Sequence, residues 1–230
     1  ARGEAPAPED LIPGEWIVAW RTPPAPGPVP GAPYAVVDVD PESGIGRIRA
    51  LPGREGDVVS ALEADANVVR YQPNSRVRVS GAGAALPQGP ASVPPAIEAS
   101  ALSAFHASAL SALHTAALSA QWYLERLRVP EAQRIADGRG VTIAVVDTGV
   151  ALDHPAFRGR LESGVILLTG GTPYDDNGHG TALAGILVGG GRLQGIAPAA
   201  KVLSIKALDA FGSGNSYTVA RGIREAVDRG

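Results

Sequence analysis

Val141-Thr142-Ile143-Ala144-Val145-Val146-Asp147-Thr148-Gly149 is the stretch on which the fold turns. The apolar run Val141–Val146 predicts a parallel strand buried on both faces. An acidic residue directly after such a strand, followed by Thr-Gly, predicts a sharp turn at its carboxyl end. Open α/β sheets gather their functional groups at that end. The same rhythm continues downstream. Gly164–Leu168 and Ala200–Ile205 read as strands, and Gly180–Val188 and Asn215–Asp228 as helices. In the last helix Val219, Ile223 and Val227 share one face. Strand–helix–strand–helix order predicts an α/β fold with a parallel sheet and helices on its faces.

Upstream the character changes. Sixteen of the 20 prolines fall in the first 95 residues. Residues 1–10 are polar and Pro-rich, which predicts a disordered N-terminus. Glu15–Trp20 reads as a strand, whereas Thr22–Pro33 carries six prolines and excludes a regular element. Tyr34–Val39 and Ile45–Leu51 read as strands around a turn at Pro41–Gly44. Val58, Val59 and Leu62 mark one face of a helix over Gly56–Ala66. Asn67–Tyr71 and Arg76–Val79 return to β-type residues. This β-β-β-α-β order predicts a small α+β module over residues 11–80. Residues 81–120 read as a linker: a Gly/Ala/Pro/Ser-rich stretch, then an Ala/Ser/Leu repeat of period eight with helix-forming composition. The α/β region takes up residues 121–230.

Composition narrows the functional classes. Of the 230 residues, 45% are hydrophobic and 19% charged, which is globular usage. The net charge of −3 is too near neutral to argue for nucleic acid or an anionic membrane as a partner, and no nucleic-acid partner is expected. With no cysteine, disulfide frameworks and Cys-ligated metals are excluded. No apolar run approaches the ~20 residues of a membrane span. The chain starts at Ala1 without an apolar signal core and ends on Ala226-Val227-Asp228-Arg229-Gly230, which reads as a helix reaching its C-cap glycine; together these suggest a processed chain or a fragment.

Two residues carry the chemistry. His179 lies in Asp176-Asn177-Gly178-His179-Gly180-Thr181, at the start of a helix and 32 residues after Asp147. A buried Asp can accept a hydrogen bond from one imidazole nitrogen, fix the tautomer and stabilise the imidazolium formed when the other nitrogen takes a proton. Taken alone, Asp147 also fits a residue capping a turn and His179 a loop residue. His154, Asp175, Asp176 and His179 offer the ligand types of a metal site. His106 and His114 are about 12 Å apart along a helix, too far to share an ion.

The order of these segments resembles the subtilisin-like serine proteases. Val141–Val150 with Asp153-His154-Pro155 is similar to that family's aspartate motif, and Asp176–Gly185 to its histidine motif. Gly195-Ile196-Ala197-Pro198, Lys206-Ala207-Leu208-Asp209 and Gly212-Ser213-Gly214 continue the pattern. Pro13–Val18 and Asn67–Asn74 resemble, more loosely, the first and last strands of the family's inhibitory propeptide. The resemblance implies the N-terminal part of a subtilisin-like catalytic domain over 121–230, preceded by a propeptide-like α+β domain over 11–80. It implies Asp147 and His179 as catalytic residues of an Asp/His/Ser triad whose serine follows Gly230. It makes Leu208, Gly212, Ser213 and Gly214 an edge that pairs with extended substrate backbone. No serine of this chain stands in the nucleophile motif, so the chain alone is expected to be inactive. No catalytic cofactor is implied. A structural calcium is a family possibility, but Ala156 stands where a common calcium ligand is expected. Ala182 and Leu183 replace a customary His and Val. The implied partners are a protein or peptide substrate and the chain's own propeptide-like module, and the implied location is secreted or extracytoplasmic. The alternatives are a non-catalytic peptide-binding or inhibitory fragment, a pseudoprotease, and an enzyme split over two chains.

Overall fold

The computed structural model of the chain describes residues 8–79, 121–162, 164–191 and 193–230. The residue 81–120 linker with its repeat, and the first seven residues of the N-terminal stretch, lie outside the described residues. The elements in chain order are β1 (Leu11–Trp20), β2 (Gly27–Pro28), β3 (Tyr34–Asp40), β4 (Ile45–Ala50), α1 (Val58–Ala64) and β5 (Val68–Arg78), then α2 (Trp122–Arg126), α3 (Val129–Gln133) and β6 (Thr142–Asp147). They continue with β7 (Val165–Ile166), α4 (His179–Val188), β8 (Lys201–Lys206), β9 (Ser213–Asn215) and α5 (Ser216–Asp228). Two compact units result. One takes in the described residues up to Val79 together with Ala207–Gly230, and the other the described residues between them, ending at Lys206.

The first unit is an antiparallel sheet of strand order β2-β3-β4-β1-β5-β9. Alternation along β1 sends Val18 and Trp20 into a core with Tyr34, Val36, Ile48, Val58 and Leu62. That core is the physical reason for α1: its Val58 and Leu62 are its two buried residues. The two β-type stretches after residue 66 are one strand, β5. It runs through Pro73, which lacks a ladder N–H, because β1 bulges there: Leu11 pairs with Ser75 but Trp16 with Pro73. Within Thr22–Pro33, Gly27–Pro28 does form a two-residue edge strand on β3.

Glu15 is buried, opposite Arg49 of β4 in the ladder. Its carboxylate is 2.6 Å from an Arg49 nitrogen, 3.3 Å from Arg47 and 2.9 Å from Asn74 Nδ2. Burial pushes the Glu15 carboxyl up, but the hydrogen bonds from Arg49 and Asn74 and the two guanidinium charges outweigh it and hold it below the usual value. Asn74 Oδ1 in turn accepts from Ser216 Oγ at 3.0 Å and from the Tyr217 N–H at 3.3 Å, so β5 takes hold of the first turn of α5. Arg47 and Arg221 lie over the Tyr217 ring, and Arg221 pairs with Asp38 at 3.1 Å. The buried residues of α5 are therefore Tyr217, Thr218 and Gly222. The stripe singled out in the sequence lies elsewhere, with Ile223 and Val227 exposed.

The second unit holds the parallel sheet, of order β6-β8-β7. Asp147 ends β6 in register with Lys206 at the end of β8, and Ile166 of β7 pairs with the same Lys206. Val145 packs with Val150, Phe157, Ala184, Val188, Ala200 and Val202, which seats α4 against one face of β6. The sequence predicts both faces of β6 buried; among the described residues Thr142 and Ala144 are exposed, because α4 covers only the Val145 side. The Gly164–Leu168 strand shrinks to two residues. Among the described residues no helix is long and apolar enough to cross a membrane.

Ile48 has no exposed surface. Ile48→Ala is expected to destabilise the first unit by about 2–5 kcal/mol. Urea unfolding followed by the fluorescence of Trp16 and Trp20 measures it.

Candidate active site

Asp147 is buried where the chain leaves β6, and the Thr148 N–H donates to its Oδ1 at 2.7 Å. The turn then passes through Gly149 at φ 101°, where a Cβ would stand 2.7 Å from the Pro173 carbonyl oxygen. Glycine is required there on both counts. His179 opens α4, and a Cβ on the next residue, Gly180, would collide with the Gly149 carbonyl oxygen. Two glycines thus let the strand-end turn and the helix start close on each other.

The approach brings His179 Nδ1 to 2.9 Å and 3.0 Å from the two Asp147 carboxylate oxygens. An ionised carboxylate only accepts, so Nδ1 carries the proton and the neutral ring's lone pair is on Nε2. Among the described residues no hydrogen bond is made to His179 Nε2. The imidazole is 31% exposed and the carboxylate 7%, so the acid is shielded while the base is reachable. Chemically, the pair can take up a proton at Nε2 and stabilise the imidazolium formed.

Asp175 holds this geometry. Its carboxylate accepts from Thr148 Oγ1, from the N–H groups of Asn177, Gly178 and Thr181, and from Thr181 Oγ1, at 2.5 to 3.0 Å. Thr148 Oγ1 also accepts from the Gly180 N–H at 3.0 Å, and Thr181 Oγ1 from the Ala151 N–H at 3.0 Å. Burial raises the Asp175 carboxyl, yet the hydrogen bonds from Thr181, Gly178 and Asn177 outweigh burial and hold it below its usual value. The sequence reading met Asp175 only as a metal-ligand type. The signal that could have found it is local: an Asp followed by N–H groups at two, three and six residues is a side-chain-capped loop leading into a helix.

The metal grouping is not assembled. Among the described residues no cluster of three or more His, Asp or Glu side chains could hold an ion. His154 Nδ1 instead accepts from the Ala156 N–H, and its ring leans on Phe157. Leu208, Gly212, Ser213 and Gly214 belong to the first unit. There Leu208 is buried, and Asp209 closes the loop, its Oδ1 accepting from the N–H groups of Phe211 and Ser213 at 2.9 Å. Ser213 and Gly214 pair with Arg78 and Val77 of β5. His106 and His114 lie outside the described residues.

Residues 138–230 match the model of the Subtilase family. Thermitase from Thermoactinomyces vulgaris is 39% identical over 115 residues, covering 48% of this chain and 41% of its own length. Subtilisin-like protease 3 of Pseudogymnoascus destructans is 40% identical over 91 residues, 40% of this chain and 22% of its own. Putative subtilisin-like proteinase 1 of Encephalitozoon cuniculi is 36% identical over 89 residues, 39% of this chain and 19% of its own. The chain thus spans less than half the length of these curated relatives.

A carboxyl held below its unfolded value, 3.8 for Asp175, stabilises the fold fully above about pH 4 and loses that contribution as pH falls through its depressed folded value. Asp175→Asn is expected to cost about 1–3 kcal/mol at neutral pH, the difference from wild type closing below about pH 4. Urea midpoints of both proteins across that pH range measure it.

Proposed function

On the premise that residues 138–230 match the Subtilase family, we propose that the chain is the N-terminal part of a serine endopeptidase. The observation that carries the reading is the Asp147–His179 pair, hydrogen-bonded through Nδ1 at the carboxyl edge of the parallel sheet with the imidazole partly exposed. In the proposed reaction His179 Nε2 removes the proton from a serine hydroxyl as the oxygen attacks a peptide carbonyl. Asp147 accepts from Nδ1–H and stabilises the imidazolium. His179 then returns the proton to the leaving amine, and water releases the acyl group by the same route. In this reading the serine and the donors that stabilise the oxyanion are supplied by polypeptide outside these 230 residues.

Leu208 and Gly212–Gly214 form the edge that takes extended peptide backbone in this reading. Its support is an occupant: Arg76–Arg78 pairs antiparallel with Ser213–Asn215, and the Val79 N–H donates to the Gly212 carbonyl at 3.0 Å. A strand of the chain itself lies where a substrate strand would add. Residues 11–80 therefore act as an inhibitory prosegment, with Asn74 gripping the start of α5, and the linker over 81–120 is where maturation cuts. The parent protein works as a secreted or extracytoplasmic enzyme, in keeping with its family.

The 230-residue chain alone is expected to leave a fluorophosphonate probe unreacted and casein uncut. Measured turnover by it overturns the assignment of the nucleophile to other polypeptide. In a protein that joins this chain to the serine-bearing segment, His179→Ala and Asp147→Asn are each expected to lower kcat/KM by about 10,000-fold or more. Activity surviving either change refutes the dyad.

A further inference from the structure

Lys206 is only 3% exposed, and nothing in the proposed chemistry uses it. Taking an ammonium out of water costs several kcal/mol unless its donors are met. Here its Nζ donates to the Thr148 carbonyl and to Asp176 Oδ1, both at 2.6 Å. Lys206 also ends β8 in register with Asp147 at the end of β6. Its two acceptors belong to the two segments that form the pair: Thr148 follows Asp147, and Asp176 stands in the loop that leads to His179.

We propose that Lys206 is a positioning residue for the Asp147–His179 pair: its ammonium clamps the Thr148 carbonyl to the histidine loop and so sets the direction of the Asp147 carboxylate. The inference rests on the dyad reading above. Its mechanical link is short. The Thr148 N–H that donates to Asp147 Oδ1 and the Thr148 carbonyl that Lys206 holds flank one residue, so holding the carbonyl leaves only the φ and ψ of Thr148 between the clamp and the donor. Asp175 grips the same residue through its hydroxyl, and Lys206 grips it through the backbone. The two contacts are not redundant: one constrains the side-chain rotamer, the other the peptide plane. The charged groups around the ammonium are Asp147 beside it in the ladder and Asp176 at its tip.

The test uses the 230-residue chain labelled with ¹⁵N-histidine, which contains four histidines. His179 is expected to show a slowly exchanging Nδ1–H signal at neutral pH, assigned by its loss in His179→Ala. Lys206→Met keeps the side-chain length and removes the ammonium. In it, exchange of that proton with water is expected to be about tenfold faster, the size of one lost charged hydrogen bond, while amide dispersion persists. A purely structural lysine would lower the melting temperature and leave the imidazole signal unchanged, and that result in folded Lys206→Met overturns the proposal. Asp176→Asn, at a residue more than half exposed, keeps an acceptor but deletes the counter-charge. It is expected to speed exchange about threefold, and if Lys206→Met does not fold, unchanged exchange in Asp176→Asn overturns the proposal on its own. Asp147→Asn separates the two layers of the argument. If the His179 signal is indifferent to it, the dyad reading falls and the role of Lys206 with it. If the signal responds to Asp147→Asn but not to Lys206→Met, only the positioning role falls.

Discussion

One half-buried carboxylate organises the unit that holds the parallel sheet. Asp175 gathers five hydrogen bonds from the turn after β6, from its own loop and from the first turn of α4. Each of those donors belongs to a segment with no regular ladder of its own. Without a shared acceptor they would be left for water to satisfy, and the loop would have many arrangements. A charged acceptor is worth about 1.5–3 kcal/mol per bond, so one Asp can hold three segments in one arrangement. The approach of His179 to Asp147 follows from that anchoring and from the glycines that remove the steric obstacle.

The other unit solves a different problem with similar means. Its apolar core is small, built on Trp20, Tyr34, Ile48 and Leu62. Beside the core runs a polar line from Arg49 and Arg47 through the buried Glu15 and Asn74 to Ser216 and Tyr217. Such a line contributes little net stability, because desolvation offsets much of its attraction. It is demanding in geometry, however: the buried Glu15 and Asn74 must each meet more than one partner. That suits a contact that joins β5 to α5 over some 140 residues of sequence and that, in the proposed prosegment role, must later come apart.

Both units place the candidate functional residues at ends of elements. Asp147 and Lys206 terminate neighbouring parallel strands, His179 begins a helix, and Ser213–Asn215 is an edge strand. At such ends the backbone is free of its own periodic hydrogen bonds. It can be aimed at a base, a carboxylate or an incoming strand.

Much of this was legible in the sequence. The apolar run ending in Asp147-Thr148-Gly149, the glycines around His179 and the strand–helix rhythm determine the α/β fold and the candidate dyad, because these are local signals of period, turn and cap. The β-β-β-α-β order of the N-terminal module was legible for the same reason, except for the two-residue edge strand at Gly27–Pro28. What the tertiary structure alone decided is pairing. It made one bulged strand of two β stretches around Pro73, and it turned Tyr217 and Gly222 inward in place of the Ile223–Val227 stripe. It brought Arg76–Arg78 against Ser213–Asn215, and it gave Asp175 and Lys206 their partners. Spacing along a chain encodes which face a residue occupies. It does not encode which distant donor or acceptor waits there, and a buried charge such as that of Lys206 is settled only by that partner.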